Sequence, residues 1–241
     1  MKMKKVLALV LALCLAMAMG VGATLAYLTA TDNKVNTFTV GNVAIDLTED
    51  FDASLSKLLP ATGSAQDGTL KNGVEKKVYV TNKGSEDAYV RVHIAIPTIL
   101  DDGDPNFDAS NNVLHFNYNS ENVGAGKWDW SKTAGAVYEG DWNFYPETIN
   151  NIQYNVYVVT YEAALAKDAK TVDAMSQVYL DSKVSNDDIT RIKETLGDEW
   201  KILVAAEGVQ AAGFENAYDA LNTAFGVPGA YDVDWSTVVG E

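Results

Sequence analysis

Ala88-Tyr-Val-Arg-Val-His-Ile-Ala-Ile-Pro97 is the stretch on which the fold turns. Val90, Val92, Ile94 and Ile96 take alternate positions, and Tyr89, Arg91, His93 and Ala95 fill the places between them. Side chains of a strand alternate between its two faces, so the apolar set lines one face and the mixed set the other. Pro97 lacks a backbone N–H and closes the strand. One such strand needs neighbours, and the flanking sequence supplies them.

Upstream, Glu75 to Asn82 reads EKKVYVTN, a strand with Val78 and Val80 on one face. Asn82-Lys83-Gly84-Ser85 is a turn by composition. The expectation is that these two strands pair as a hairpin or lie side by side. Phe51 to Asn72 is rich in Ser, Gly, Asp and Lys and reads as a loop. Before it, Asn36-Thr37-Phe38-Thr39-Val40 alternates polar and apolar, as a half-buried strand does. Gly41-Asn42 interrupts, and Val43, Ile45 and Leu47 resume the alternation in the other parity. A bulge or turn at Gly41 accounts for the change of phase.

Downstream, Leu100 to Asn112 is acidic and turn-rich, and Val113 to Asn119 alternates again. Lys127 to Pro146 is aromatic and Gly-punctuated, which fits short strands joined by tight turns. Ile152, Tyr154, Val156 and Val158 align on another strand. Tyr161 to Trp200 changes character: Ala163 to Lys170 is Ala/Lys-rich, and Ser176 to Leu180 suits a short strand. Ser185-Asn186-Asp187-Asp188 opens a helix carrying Ile189, Ile192 and Leu196, ended by Gly197. A helical insertion over about 161–199 is expected. Trp200 to Gln210, apolar on both faces, reads as a central strand. Phe214, Ala217, Tyr218, Leu221 and Phe225 give a short C-terminal helix closed by Gly226 and Pro228. The pattern as a whole predicts a mainly β chain, an antiparallel β-sandwich with a helical insertion and a short C-terminal helix.

The N-terminus is of another kind. Lys2, Lys4 and Lys5 precede an apolar run from Val6 to Met19, and small residues follow to Ala26. A basic start, a short apolar core and a small-residue exit describe a secretory signal peptide. Fourteen apolar residues fall short of the roughly 20 that span a membrane. An uncleaved anchor extended through Gly20 to Ala26 is the alternative. Cleavage is expected after Ala26, with Thr24 two positions before the cut and Tyr27 as the new N-terminus. Residues 1–26 are then the signal and 27–241 a single domain.

Of 241 residues, 33 are acidic and 18 basic. Three of the lysines lie in the signal, so 15 basic residues face 33 acidic ones in the mature chain, a formal charge of −18. Such a charge argues against nucleic-acid binding and against adsorption to anionic lipid. Cys14, the one cysteine, lies within the signal, so the mature chain has no disulfide. Leu13 before it does not suit a lipoprotein site. Stability is expected to come from core burial.

Catalytic signals are sparse. The two histidines, His93 and His115, sit in different strands with no Asp or Glu beside them in the sequence. A His-Glu-x-x-His pattern is missing, as are a phosphate loop, a dinucleotide fingerprint and a Ser-centred elbow. Asp102, Asp104, Asn106, Asp108 and Ser110 alternate like a calcium loop, but Phe107 stands at the sixth position and Val113 at the twelfth. An acidic turn is the reading preferred. Trp128, Trp130, Trp142 and Tyr145 are expected to pack in the core rather than stack on sugars. No catalytic residue, metal ligand or cofactor is assigned.

Three blocks resemble a known group. Gly22-Ala-Thr-Leu-Ala-Tyr-Leu-Thr-Ala-Thr-Asp32 with Asn36 to Val43 is the first. Lys77 to Val92 and Glu207-Gly-Val-Gln-Ala-Ala-Gly-Phe214 are the others. They resemble the TasA/camelysin family, secreted proteins of Gram-positive bacteria released by the signal peptidase SipW. The resemblance does not extend over Leu100 to Gln153. It implies a jelly-roll-like sandwich, export to the extracellular matrix or cell surface, and a subunit of a biofilm-matrix or surface fibre. It further implies that the N-terminal strand of one subunit completes the sheet of another. Phe38, Val40, Val43, Ile45 and Leu47 would then be the donor-strand residues. The partners implied are further copies of the chain, a SipW-type signal peptidase, and an accessory or anchoring matrix protein. The family's metallopeptidase label finds no motif in this sequence. A camelysin-like metallopeptidase and a carbohydrate-binding adhesin are the alternative functions.

Overall fold

The computed structural model describes residues 29–32, 43–51, 58–63, 69–101, 113–117, 128–129, 144–198, 200–231 and 233–236. In chain order these form β1 (Thr29–Asp32), β2 (Ile45–Phe51), β3 (Val74–Asn82), β4 (Ala88–Pro97) and β5 (Leu114–Asn117). There follow β6 (Trp128–Asp129), β7 (Phe144–Ile149), β8 (Ile152–Leu165) and β9 (Met175–Leu180). Helix α1 (Asn186–Leu196), β10 (Leu203–Gln210) and helix α2 (Ala217–Phe225) complete the order.

The strands make two antiparallel sheets. The larger runs β1-β10-β4-β8-β6, with β7 also paired to β8; the smaller runs β2-β3-β9-β5. The chain passes from one sheet to the other after β1, β3, β4, β5, β8 and β9. This repeated crossing between layers is the jelly-roll-like feature of the sandwich.

Alternation decides what is buried. Val90, Val92, Ile94 and Ile96 of β4 point into the sandwich with Val204 and Ala206 of β10 and Val159 of β8. Ile45, Val78, Val80, Val178 and Leu180 meet them from the smaller sheet. Each valine, leucine or isoleucine among them contributes roughly 1.5–3 kcal/mol of burial, the source of stability that a chain without disulfides needs.

The fold differs from the sequence reading at two places. First, β3 and β4 neither pair nor neighbour; they lie in opposite sheets. Their apolar faces meet across the core instead of side by side. Buried Asn82 fixes the crossing: its Nδ2 donates to the carbonyls of Glu86 and Leu165, both at 2.8 Å, and its Oδ1 accepts from the Gly84 N–H at 2.8 Å. Second, the region 161–199 is only partly helical. β8 continues through Leu165, and β9 sits inside the smaller sheet between β3 and β5. Tyr161, Ala163 and Leu165 alternate towards the core, and pairing with β4 overrides the helix preference of the alanines.

Local chemistry accounts for the other connections. Asn150 and Asn151, with φ of 49° and 64°, make the two-residue turn between β7 and β8, because Asn tolerates left-handed backbone. Ser185 and Asp188 exchange bonds across the start of α1: the Ser185 hydroxyl accepts from the Asp188 N–H and the Asp188 carboxylate from the Ser185 N–H.

Candidate functional site

β10 runs antiparallel to β4 with Glu207 opposite Arg91, Ala205 opposite His93 and Val209 opposite Tyr89. These residues face away from the main core. Register therefore brings the mixed face of β4 against the one carboxylate of β10. Arg91, His93 and Glu207 are all buried. Arg91 Nε donates to Glu207 Oε2 at 2.5 Å, and His93 Nε2 lies 3.1 Å from the same oxygen.

Two later segments close the cluster. From α2, Asn222 Oδ1 accepts from Arg91 Nη1 at 3.0 Å; just beyond it, the Gly226 carbonyl accepts from Arg91 Nη2 at 3.0 Å. The Tyr231 hydroxyl lies 2.7 and 2.8 Å from the two Glu207 oxygens, to which it donates, and 2.6 Å from Arg91 Nη2, from which it accepts. The Arg91 guanidinium also faces the rings of Phe225 and Tyr231 at 5.7 and 5.5 Å.

The electrostatics follow from this crowding. Burial alone would raise the Glu207 carboxyl, but His93 and Arg91 outweigh it and hold the group at about 2. Burial works against the Arg91 charge, and Glu207 more than restores it, so the guanidinium is held above its ordinary value. Burial and then the Glu207 charge push the Tyr231 phenol upward, so it remains a donor at neutral pH. A carboxylate so strongly ionised is a poor proton acceptor. What the cluster offers chemically is anchoring: it ties β4, β10, α2 and the C-terminal segment to one point.

His115 has its own carboxylate in the other sheet. Its Nε2 lies 2.8 Å from Asp181 Oδ2, and its ring stacks on Tyr179 with centroids 5.1 Å apart. Burial favours the neutral Asp181 acid, but the Lys183 N–H and His115 outweigh it and lower the group. The two histidines are thus in separate sheets, each beside a carboxylate far away in sequence. Asp101, at the base of the acidic loop, is also committed: it accepts from Asn155 and from the Tyr157 hydroxyl at 2.7 Å. Asp102 to Ser110 lie outside the described residues.

Of the aromatic cluster, Trp128 and Tyr145 are buried, and Trp128 Nε1 donates to the Val172 carbonyl at 2.8 Å. Trp130 and Trp142 lie outside the described residues. So do Thr24, Ala26 and Tyr27 of the expected cleavage site, and Phe38 and Val40 of the expected donor strand. Val43 and Ile45 are buried in the chain's own core, and Leu47 packs against it.

Among the described residues the strand closest to the N-terminus is β1, which the sequence reading did not single out. It is an edge strand, paired to β10 from Thr29↔Val209 to Asp32↔Ala206. Directly across from Ala30 lies Gly208, where a Cβ would come within 2.7 Å of Ile45 Cγ2. Glycine there lets Ile45 of β2 sit against the backbone of β10.

No family model, curated protein or solved structure matches the chain.

Proposed function

We propose that this protein is a secreted structural subunit of an extracellular matrix or surface fibre, assembled by donation of its N-terminal strand. The observation that carries the proposal is β1: four residues that, among the described residues, stand at a sheet edge and pair only to β10. Cleavage after Ala26 would leave β1 two residues from a free terminus. A strand so placed leaves its sheet at low topological cost, and the uncovered β10 edge presents unpaired N–H and C=O groups to another chain's strand. Head-to-tail addition of this kind does not close on itself and gives filaments.

We take β1 as the head of the donated segment; Val43 and Ile45, which the resemblance also makes donor residues, are buried in the chain's own core. The resemblance of residues 22–43 to the TasA/camelysin N-terminus points the same way, as does the acidic, disulfide-free mature chain. A SipW-type peptidase is the expected processing partner. Further copies of the chain are the expected polymer partners, with an accessory or anchoring matrix protein at the fibre's base.

Negative-stain microscopy of purified mature protein tests the reading: filaments are expected, and a protein that stays monomeric at every concentration and pH tried contradicts it. Ala26→Phe should block maturation, since signal peptidases accept only small side chains there. N-terminal sequencing of wild-type secreted protein should read Tyr-Leu-Thr-Ala.

A further inference from the structure

The outer face of the larger sheet is covered in two pieces. Ala217, Ala220 and Leu221 of α2 cover Val209 at one end. At the other, Val233 and Trp235 of the C-terminal segment cover Ala95, Val158, Leu203 and Ala205. Between the two lies the charged floor of Arg91, His93 and Glu207, plugged by Tyr231.

The C-terminal segment is attached to the sandwich by its side chains. Among its described residues none joins a strand ladder. Side chains hold it: Tyr231 to Glu207, and Trp235 Nε1 to Glu147 Oε2 at 2.9 Å. Its link to α2 is Gly226-Val227-Pro228-Gly229, whose glycines have φ of 100° and 82°. The Tyr231 ring lies 3.3 Å from where a Gly226 Cβ would stand, so this glycine leaves room for the plug. A segment that seats side chains in a formed groove, on a link with a left-handed glycine at each end, has the character of a tethered ligand.

We propose that the groove is a docking site for the C-terminal segment of a second copy, with Tyr231 as the key. The occupant is defined by the chemistry already seen in place. It must bring a phenol to donate to Glu207 and accept from Arg91, and an indole to donate to Glu147 over an apolar seat. A second copy carries both at the same spacing. Reciprocal exchange gives a closed, two-fold contact, since each copy offers the same segment and the same groove. It uses the sheet's face, whereas β1 addition uses its edge, so neither proposal depends on the other.

The test begins with the full mature chain carrying a protease recognition sequence between Val227 and Pro228. The folded protein is cut and mixed with a fluorescent peptide of residues 229–241. The peptide should replace the cut segment, and a Tyr231→Phe peptide should bind at least about tenfold more weakly, having lost a hydrogen bond to a charged group. Cut protein freed of its segment should then capture one uncut copy, seen by native mass spectrometry as a heterodimer. A cut protein that unfolds, or that never exchanges its segment, makes the segment an integral part of the core and overturns the proposal. Peptide exchange without the heterodimer overturns docking between copies. Should the inserted sequence prevent folding, excess peptide added to the uninterrupted chain decides the matter: saturable, Tyr231-dependent binding supports the proposal and its absence overturns it.

Discussion

Glu207 and Arg91 stand opposite each other in the register of β10 and β4, and both are buried. A buried pair of this kind is weak evidence of net stabilisation, because removing both charges from water costs about what their attraction returns. Breaking it is another matter. Glu207→Gln should destabilise the protein by about 3–5 kcal/mol, since it leaves Arg91 buried without its counter-ion. The double change Arg91→Met with Glu207→Leu should cost clearly less than Glu207→Gln alone. Urea denaturation of the two variants checks the order. Arg91 and His93 were visible in the sequence as a polar face in need of partners. Glu207 was not, because it lies 116 positions from Arg91 and only the strand register joins them. Nor was Tyr231, which comes from a segment with no periodic pattern.

Among elements, β4 was legible because its alternation runs unbroken over ten residues. Its partner was not. Whether the turn at Asn82 folds β3 back beside β4 or carries the chain across to the other sheet depends on contacts with Leu165 and Ala44, both distant in sequence. The end of β8 was hidden by its alanines, whose local preference is helical until Tyr161 and Leu165 on either side of them pair with β4. β2 and β10 meet at a tighter place than composition could reveal. Gly208→Ala should destabilise by about 1–3 kcal/mol, because its new methyl would overlap Ile45. Ile45→Ala opens a cavity at a cost of about 2–5 kcal/mol. Since the added methyl occupies part of the space that Ile45→Ala vacates, the double variant should lose less than the sum. A double-mutant cycle with additive losses would show that the two residues do not touch. Helix α1 should respond independently: Ser185→Ala removes its cap and costs about 0.5–2 kcal/mol, measurable as a lower Tm.

For the whole molecule, the depressed Glu207 couples folding to acid. Its carboxyl is at about 2 when folded against an ordinary 4.5, so the unfolded chain binds the proton more readily. The stabilisation it gives is fully present above about 4.5 and is lost as pH falls towards 2. Asp181, also lowered, adds to the same trend. Thermal denaturation from pH 7 to pH 2 should show stability falling mainly below about 4.5, and Glu207→Gln should flatten that slope. At this scale the proposed fibre rests on one event, the transfer of β1 from its own β10 to the β10 of the next subunit. Thr29 and Val209 are register partners, and antiparallel partners have Cα atoms about 4.5–5.5 Å apart, within reach of a disulfide. With the sequence's one cysteine in the expected signal, Thr29→Cys with Val209→Cys gives a mature chain with a single pair of thiols. Filaments grown under reducing conditions and then oxidised should run on a non-reducing gel as a ladder of covalent multimers, because each bond joins two subunits. Fully oxidised filaments that run as monomer would show that β1 never leaves its own chain and would contradict assembly by strand donation.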